Sequence, residues 1–484
     1  MSKAPKNVGR VSTRQAASAH GDVGLRNETA NPTYGGNLIN GEIPGHWEFT
    51  TLGEVCRRGG GNIQTGPFGS QLHASDYVPV GVPSIMPTNI GENRIVEDGI
   101  VRITETDANR LGQHRLKVGD IVYSRRGDVE KRALIREREE GWFCGTGCLK
   151  VRLGSGVVDP LFASLYLGHP SVREWIVRHA VGATMPNLNT SIMSAVPFAL
   201  PPLTEQKAIA HILGTLDDKI ELNRRMNATL EAMARALFQS WFVDFGPVRA
   251  KLDGRKPSGL DAATAALFPV HFEHGEDGML PVGWRSDAIE KLCAINAWTL
   301  GKNDDLKVLE YVEISEVNRG NIANIATYTR GDEPSRARRR LRHGDTVLST
   351  VRPDRGSYFL ALNPPENRVA STGFAVLTPT KAPWSFIHAA MTQPEVSDYL
   401  GQMADGGAYP AVRPEIIGAM KVALPNEPKI LEAFHRTCAP LFEQAEANRT
   451  QSRTLATLRD ALLPELLSGE LSVNELNPNQ IAVP

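Results

Sequence analysis

An apolar stripe runs along residues 209–241, and its members step by four and three positions. A heptad spacing of this kind, sustained over more than four heptads, predicts a coiled-coil helix. Two polar residues, Asn223 and Asn227, interrupt the stripe at its centre, where they are expected to set the register at some cost in stability. The stripe consists of Ile209, Leu213, Leu216, Ile220, Asn223, Asn227, Leu230, Ala234, Leu237 and Trp241.

A second, weaker stripe about 225 residues later predicts another long helix over residues 429–467. Its Asn448, Leu455 and Leu462 correspond to Asn223, Leu230 and Leu237 of the first stripe. The first helix is expected to begin at Thr204, because two prolines precede it and a threonine hydroxyl can cap a helix.

Each stripe needs a partner, and the nearest candidate is the other helix of the same chain. A parallel pair would force the connecting segment to run back along the whole helix, about 50 Å at 1.5 Å per residue. We therefore predict an antiparallel pair that places Asn223 and Asn227 opposite Ser452 and Asn448. These four residues are our candidates for fixing the register.

The chain before the first helix shows mixed local patterns. Short β-type runs lie at residues 119–127, 147–153 and 195–203, and a helical stretch lies at residues 160–180. Residues from 281 onward repeat this segment, with sequence motifs in the same order and mostly 224–226 positions apart. The predicted fold class is therefore α+β: two similar domains separated by a long antiparallel two-helix coiled coil, with an internal pseudo-twofold repeat.

These patterns divide the chain into seven segments. The first and last segments are a disordered N-terminal extension, where large apolar residues are few, and a C-terminal tail. The segments are residues 1–40 (extension), 41–200 (first α+β domain), 201–243 (first helix), 244–280 (linker), 281–424 (second α+β domain), 425–470 (second helix) and 471–484 (tail).

Composition narrows the class of protein. The 484 residues carry a net charge of −1, and no apolar run reaches the ~18 residues of a membrane span. The N-terminus lacks the apolar region of a secretory signal. The five cysteines are few and odd in number, which favours reduced thiols and a cytoplasmic location.

Catalytic motifs are represented only by near misses. Residues 363–366 read NPPE, whereas the corresponding motif of amino-methyltransferases needs an aromatic ring to stack on a flipped base. The glycine-rich residues 59–70 lack the lysine of a phosphate loop. We predict no catalytic residue, no metal site and no cofactor bound by this chain.

Both repeats carry arginine-rich stretches, at residues 115–132 and 336–355. Arginine suits bidentate contacts to guanine and to phosphate, although a solvated charged face is the simpler interpretation of any single arginine. The loop at residues 62–71 adds hydroxyl and amide groups of the kind that read base edges. The DNA-binding candidates are Asn62, Thr65, Ser70, Gln71, Arg125, Arg126, Lys131, Arg336, Arg338, Arg352 and Arg355. The wider clusters include Arg115, Lys117, Arg132, Arg339, Arg340 and Arg342.

Several sequence motifs carry a family resemblance over residues 41–470. They are LPPLTEQ at 200–206, SWFVDFGPVRAK at 240–251, LFP at 267–269 with LPVGW at 280–284, and TGPFGSQL at 65–72. In these motifs and their order the chain resembles the specificity (S) subunits of type I restriction-modification systems. The resemblance implies that the α+β segments are target-recognition domains and that the two helices are conserved spacer regions.

The resemblance also implies a function and partners. Such a subunit binds an asymmetric, bipartite double-stranded DNA target and docks two methyltransferase (M) subunits and, through them, motor-nuclease (R) subunits, so directing adenine methylation and restriction. S-adenosylmethionine, ATP and Mg²⁺ belong to those partners. The outer face of the first helix, with Glu205, Arg224, Arg225 and Arg235, is the expected docking surface.

One alternative explains the helices equally well. A coiled-coil scaffold with two protein-binding domains and no direct DNA readout would have the same spacer. It gives no role to the paired arginine clusters, and we therefore favour the DNA reader.

Overall fold

The computed structural model describes residues 44–182, 184–275, 278–301, 304–407 and 409–473. The predicted extension at residues 1–40 lies outside the described residues, and so does the predicted tail beyond residue 473. Among the residues that are described, no helix is both long enough and apolar enough to cross a membrane.

The first α+β domain combines short strands with short helices. Its strands are β1 (Glu48–Thr51), β2 (Gly60–Thr65), β3 (Tyr77–Val78), β4 (Val82–Ile85), β5 (Val101–Ile103), β6 (Ile121–Ser124), β7 (Arg132–Leu134), β8 (Phe143–Cys144), β9 (Cys148–Gly154) and β10 (Pro197–Leu200). Its helices are α1 (Leu52–Arg58), α2 (Glu105–Arg110), α3 (Pro160–Leu167), α4 (Pro170–His179) and α5 (Thr190–Ser194).

The first long helix leads into a segment that is folded rather than extended. The elements are α6 (Leu203–Phe238), a π-helical turn (Gln239–Val243), α7 (Gly246–Leu252), α8 (Ala262–Leu267), β11 (Phe272–Gly275) and β12 (Gly278–Pro281). The predicted linker at residues 244–280 is thus a folded connection that packs on the second domain. Phe245, Val248 and Phe268 bury their side chains in the second core, because apolar groups among the glycines and prolines gain from leaving water.

The second α+β domain and the second long helix complete the chain. The strands are β13 (Trp284–Ala288), β14 (Cys293–Ile295), β15 (Val308–Val312), β16 (Val317–Asn318), β17 (Asn321–Ile322), β18 (Ala326–Thr329), β19 (Ala337–Arg340), β20 (Asp345–Ser349), β21 (Tyr358–Ala361), β22 (Arg368–Ser371), β23 (Phe374–Pro379) and β24 (Lys421–Pro425). The helices are α9 (Trp384–Met391), α10 (Pro394–Gln402), α11 (Pro414–Ala419) and α12 (Pro428–Ser468).

The sheets of the two domains have matching topologies. The strand order β2-β9-β6-β7 in the first domain corresponds to β14-β23-β20-β21 in the second. In the other sheets, the order β5-β4-β8 corresponds to β18-β15-β22, each with one parallel pair, β4 with β8 and β15 with β22. The fourth strands, β3 and β19, lie at opposite edges of these two sheets. The pairs β1–β10 and β13–β24 are both antiparallel. The sequence repeat therefore corresponds to a repeat of most of the sheet structure.

A matching turn precedes the central strand in both domains. Gly119 and Gly344 have φ angles of 87° and 85°, a conformation that favours glycine. The next residue is an aspartate whose Oδ2 accepts a backbone N–H three residues upstream, that of Lys117 in the first domain at 2.9 Å and that of Arg342 in the second at 2.7 Å.

Each long helix contributes one end to each domain core. The first core contains Ile209 and Leu213 from α6 together with Leu466 from α12. The second core contains Phe238 from α6 together with Phe434 from α12. The N-terminal end of one helix thus packs beside the C-terminal end of the other, which is the antiparallel arrangement that the chain order predicted.

Polar side chains join the two helices at mid-length. Asn223 Nδ2 donates to Gln451 Oε1 at 2.8 Å and to Ser452 Oγ at 3.3 Å. Asn448 Nδ2 donates to Asn227 Oδ1 at 2.9 Å, and Asn227 Nδ2 donates to the carbonyl of Ala445 at 3.0 Å. Asn223 and Asn227 are buried, and these bonds satisfy amide groups that would otherwise be costly inside the pair.

The start of α6 differs from the prediction. The N-cap is Pro202, which makes no side-chain capping bond, and Thr204 lies inside the first turn. The buried side chain of Gln206 holds this end instead. Its Nε2 donates to the carbonyl of Pro201 at 2.8 Å, and its Oε1 accepts from the amide of Asp159 at 2.9 Å. Thr204 was wrong as a cap because α6 begins one residue before it, at Leu203, which places Thr204 inside the helix.

Five buried, unpaired thiols agree with the prediction from cysteine usage. All five cysteines are free and buried. Burial raises the pKa of Cys56, Cys144, Cys293 and Cys438 to about 12. Groups held as neutral thiols are poor nucleophiles, which argues for a packing role.

The aspartates that follow the two matching glycines have different partners. The carboxylate of Asp120 accepts two hydrogen bonds from the guanidinium of Arg152. Nη2 donates to Oδ2 at 2.6 Å, and Nε donates to Oδ1 at 2.8 Å. In the second domain the corresponding strand position is Thr378, whose hydroxyl donates to Asp345 at 2.7 Å. Burial raises the pKa of Asp345 to about 6. The neutral hydroxyl of Thr378 stabilises the ionised carboxylate less than a guanidinium would, so it offsets less of this rise.

We expect Asp345 to make the chain less stable as the pH rises from about 4 to about 6. The folded state binds a proton on the Asp345 carboxyl more tightly than the unfolded state does. The stability that this proton contributes is therefore fully present below the unfolded pKa of Asp345 and is lost as the pH rises through the folded pKa. A shift of about two pKa units corresponds to roughly 3 kcal/mol. Urea unfolding of wild type and Asp345→Asn at several pH values isolates the effect.

The variant Thr378→Arg places a guanidinium beside Asp345, as Arg152 does beside Asp120. We expect it to lower the pKa of Asp345 and to remove this pH dependence. Equal pH dependence of wild type and Asp345→Asn would show that Asp345 does not titrate in this range.

Candidate nucleic-acid interface

Loops from four parts of the first domain meet at one end of β6. The amide of Arg125 donates to the carbonyl of Gly147 at 2.8 Å, and the carbonyl of Arg125 accepts from the amide of Leu188 at 2.9 Å. The amide of Gly66 donates to the carbonyl of Cys148 at 2.9 Å. We call the surface formed by the loops at residues 66–71, 125–131, 145–147, 181–182 and 184–187 the first loop face.

The second domain ties the corresponding loops together in the same way. The amide of Thr350 donates to the carbonyl of Gly373 at 2.8 Å, and its carbonyl accepts from the amide of Val412 at 2.8 Å. The amide of Arg352 donates to the carbonyl of Pro410 at 2.8 Å. In the first domain the amide of Gly127 donates to the carbonyl of Pro186 at 3.0 Å in the same way. The described residues of the loops that begin at residues 350, 371 and 405, which leave out residue 408, form the second loop face.

The first loop face holds three of the predicted basic residues. Arg126 is exposed, and Lys131 pairs with Asp128 at 2.7 Å. Arg125 is half-buried, and its Nε donates to the carbonyl of Leu188 at 3.2 Å. Its guanidinium carbon lies 5.8 Å from the centre of the Phe68 ring, within reach of a cation–π contact.

The second loop face holds two of them, and a third lies beside it. Arg352 adopts a left-handed conformation with φ of 46°, and its guanidinium carbon lies 5.0 Å from the centre of the Tyr409 ring. Arg355 is exposed. Arg336 is exposed and lies beside this face, because its carbonyl accepts from the amide of Thr372 at 2.8 Å.

Other basic residues of the two clusters have internal partners. Arg132 is buried, with Nε donating to the carbonyl of Ser164 at 2.6 Å. Its inclusion in the surface cluster was wrong, because β7 turns this side chain onto α3. Arg338 pairs with Glu333 at 3.0 Å. Arg342 lies with its guanidinium carbon 3.2 Å from the centre of the Trp298 ring.

The polar candidates at residues 62–71 are spread along one strand and its loop. Thr65 ends β2 and adjoins the first loop face. Asn62 lies three residues earlier on β2, where it pairs with Arg152 of β9. It is therefore about 10 Å from Thr65, at 3.3 Å per residue. Ser70 is exposed. Gln71 shapes the loop, because its Oε1 accepts from the amide of Phe68 at 3.1 Å.

The sequence reasoning missed three apolar residues on the loop faces. Phe68, Met185 and Tyr409 are exposed by 57%, 62% and 74%, which is unusual for large apolar side chains. Met185 and Tyr409 each precede the proline of matching glycine-containing motifs, at residues 182–186 and 406–410. A large apolar residue in the same turn of both repeats was the available signal.

Within the described ranges, no group of three or more histidine, cysteine, aspartate or glutamate residues is placed to hold a metal ion. What the faces offer is guanidinium, ammonium, hydroxyl and aromatic groups at the ends of matching sheets. Such groups bind phosphates and base edges.

Two matched domains with basic loop faces, one at each end of a helix pair, define a class of two-domain recognition proteins. Residues 44–232 match the model of the "Type I restriction modification DNA specificity domain" family. This segment belongs to that family, and the chain is a relative of type I restriction specificity subunits.

Curated relatives align over most of the chain. The specificity subunit of the type I restriction enzyme HindI from Haemophilus influenzae is 24% identical, over 74% of this chain and 87% of its own length. That of MjaIX from Methanocaldococcus jannaschii is 23% identical, over 90% of this chain and 96% of its own.

A solved structure supports the fold. The S subunit of a type I restriction-modification system from M. genitalium superimposes with a TM-score of 0.51 at 15% identity, covering 88% of this chain and 97% of that chain. At this identity the similarity concerns the α+β fold.

Proposed function

We propose that this chain is a DNA sequence-specificity subunit that reads a bipartite, asymmetric target through its two loop faces. The observation that carries the proposal is the matched placement of basic loops at the same end of equivalent sheets. An arginine on each face, Arg125 and Arg352, adjoins an exposed aromatic ring. Arginine beside an aromatic ring is suited both to guanine edges and to phosphates.

The two half-sites should differ, because the loop faces carry different side chains on the same backbone. Arg125 and Arg126 occupy the positions that Thr350 and Val351 occupy in the second domain. Conversely, Arg352 takes the place of Gly127. Donors and acceptors that differ at equivalent loop positions select different bases.

The helix pair sets the distance between the two readers in this proposal. The 36 residues of α6 span about 54 Å at 1.5 Å per residue. We propose that the spacer is a coiled coil with a pseudo-twofold axis near Asn223, Asn227, Asn448 and Ser452, and the polar contacts among these residues support this. The asparagines fix its register, since any slip would separate buried amides from their partners.

The exposed side of α6 supports docking of methyltransferase subunits. Leu222, Met226 and Met233 are exposed by 50%, 38% and 49% and share one helix face by their spacing. Such an apolar row fits a partner helix. The partners would supply the S-adenosylmethionine, ATP and Mg²⁺ chemistry of adenine methylation and restriction, while this chain supplies sequence choice.

Glu205 has to be removed from the predicted docking surface. Its carboxylate accepts from Trp47 Nε1 at 3.2 Å and lies 3.1 Å from His46 Nε2, and its side chain is only 17% exposed. The beginning of the first domain therefore covers this side chain. Arg224 and Arg225 are exposed and pair with Glu221 at 2.7 Å and 2.9 Å.

Substitution of the loop-face arginines tests the proposal. We expect the double variant Arg352→Ala with Arg355→Ala to lose about 1–3 kcal/mol of base discrimination per base contact at one half-site. Discrimination at the other half-site should stay unchanged. Arg125→Ala with Arg126→Ala should do the reverse. The measurement is competitive DNA binding by the chain with its methyltransferase partner, against libraries randomised in one half-site, at several salt concentrations.

The controls separate the alternatives. Arg178→Ala, at an exposed position on α4, should leave the preference at both half-sites unchanged. A uniform loss for all sequences would assign phosphate contacts to the loop-face arginines. Binding with no sequence preference in the wild type would favour the scaffold protein without DNA readout.

A further inference from the structure

Each loop face contains a short turn that is closed by an antiparallel bridge. In the first domain Val181 and Asn187 exchange two backbone hydrogen bonds, at 3.0 Å and 2.9 Å. In the second domain Asp405 and Ala411 do the same, at 3.0 Å and 2.8 Å. We call the described residues of these segments, 181–182 with 184–187 and 405–407 with 409–411, the first and second bridged turns.

A glycine in a strained conformation begins both bridged turns. Gly182 and Gly406 have φ angles of 113° and 115°. A Cβ atom at Gly182 would lie 2.6 Å from the carbonyl oxygen of Met185, and one at Gly406 would lie 3.2 Å from that of Tyr409. Because only glycine adopts this backbone at so close an approach without strain, the two turns share a conformation despite their different side chains.

The bridged turns are fixed to the loop that follows the central strand. The carbonyls of Pro186 and Pro410 accept from the amides of Gly127 and Arg352, at 3.0 Å and 2.8 Å. A residue that precedes proline is restricted to extended backbone. Met185, which precedes the proline of the first turn, is therefore held in place before any partner binds, and so is its counterpart in the second turn.

The residue before the proline is large and apolar in both turns, and its side chain is exposed. Met185 is 62% exposed and Tyr409 is 74% exposed. Single exposed apolar residues are common on protein surfaces. Here, however, the same position of the same turn carries one in each domain, although Thr184 corresponds to Gly407 and Asn187 to Ala411. A repeated position of this kind indicates a shared binding role.

Cationic side chains adjoin both apolar residues. Arg126 is exposed and forms a backbone bridge with Asn187 of the first turn. The guanidinium carbon of Arg352 lies 5.0 Å from the centre of the Tyr409 ring. An apolar group beside positive charge suits a partner with an anionic outside and an apolar inside. Double-stranded DNA has this composition, with phosphates around a stack of base pairs.

We propose that Met185 and Tyr409 insert between neighbouring base pairs, one in each half-site, and kink the DNA there. Apolar side chains that enter a base step unstack it and bend the duplex by about 20–90°. The inference rests on the proposed DNA-reading function and adds a deformation of the target to the contacts of the loop-face arginines. A methionine thioether and a tyrosine ring both offer the apolar surface that a separated base pair needs.

The fluorescence of 2-aminopurine, an adenine analogue that brightens when it leaves the base stack, locates the insertion. The analogue is placed at successive positions of each half-site, apart from the adenine that is methylated. The chain is bound with its methyltransferase partner at a concentration that saturates the DNA. We expect a severalfold rise in fluorescence at one step of each half-site.

Substitution assigns each unstacked step to one side chain. Tyr409→Ala should remove the rise in one half-site only and weaken DNA binding about tenfold, as for the loss of one stacked base. Met185→Ala should remove the rise in the other half-site. Tyr409→Phe keeps the ring and should keep the rise. Met279→Ala, at a 50% exposed position on β12 outside the loop faces, is the matched control and should change neither signal.

The outcomes separate the insertion from the proposed function. If the wild-type complex prefers its bipartite target but no position brightens, the insertion is refuted and the DNA-reading function stands. Brightening that persists in both alanine variants, with circular dichroism showing them folded, would assign the unstacking to other residues and also refute it. Binding without any sequence preference in the wild type would contradict the proposed function itself, and the insertion with it.

Discussion

Deleting one heptad from each long helix is expected to shorten the unread spacer of the DNA target while leaving both half-sites unchanged. Residues 218–224 and 451–457 are the matched choice. Their removal keeps Asn227 opposite Asn448 and Asp217 beside Arg459, whose charged atoms are 2.7 Å apart. Seven residues per helix preserve the heptad frame of the stripe on both sides of the cut.

The size of the change follows from helix and DNA geometry. Seven residues shorten a helix by about 10 Å, which equals roughly three base pairs at 3.4 Å each. Each base pair removed from the spacer also rotates one half-site relative to the other by about a tenth of a turn. The loop faces therefore tolerate the loss of one base pair better than the loss of three. We expect a spacer shorter by about one to three base pairs, read by mapping methylated bases in DNA modified by the complex.

The control deletes the heptad from one helix alone. This removes seven residues on one side of the pair only and misaligns Asn227 with Asn448, so loss of folded protein is expected. If the matched double deletion folds and methylates with an unchanged spacer, the helix pair is not the element that sets the spacing.

Replacing Arg449 by methionine is expected to destabilise the chain by about 3 kcal/mol. The guanidinium of Arg449 is 12% exposed, binds the carboxylate of Glu231 across the helix pair and lies 3.4 Å from Glu446. Burial raises the pKa of Glu231, and Arg449 opposes that rise. Without Arg449 the half-buried carboxylate of Glu231 loses its counter-charge, and this unpaired charge is the main cost.

The double variant Glu231→Gln with Arg449→Met separates this cause from lost packing. If the unpaired carboxylate causes the loss, the double variant recovers most of the free energy of unfolding, measured with urea. The exposed pair of Arg178 and Glu174, with side chains 71% and 61% exposed, is the matched control. Arg178→Met should cost less than about 1 kcal/mol. An equal cost at both sites would contradict the importance of burial.

The candidate site shows where sequence reasoning stopped. Arg126 and Arg355 are exposed on the loop faces, as their glycine-punctuated, charged surroundings suggested. Arg132, from the same stretch of sequence, is buried against α3. Arg126 lies in the loop between β6 and β7, whereas Arg132 begins β7 and is covered by α3, which lies about 30 residues further along the chain.

A difference between the two domain cores makes the same point. Tyr166 and Phe198 pack together in the first domain, with ring centres 4.5 Å apart. Strand register and helix starts place Ala390 and Val422 at the equivalent positions of the second domain. This equivalence rests on contacts between distant residues, so it becomes evident only when the two domains are compared in three dimensions.

The sequence by itself determined the long helices, their buried stripes and the repetition of one α+β unit, because spacing along the chain reports the periodicity of a helix and the order of a duplicated fold. The tertiary structure alone decided which polar side chains are free to act. Glu205 is covered by Trp47, and Asp345 meets a hydroxyl where Asp120 meets a guanidinium. Burial and partnership arise from contacts between residues distant in sequence, and no local pattern records them.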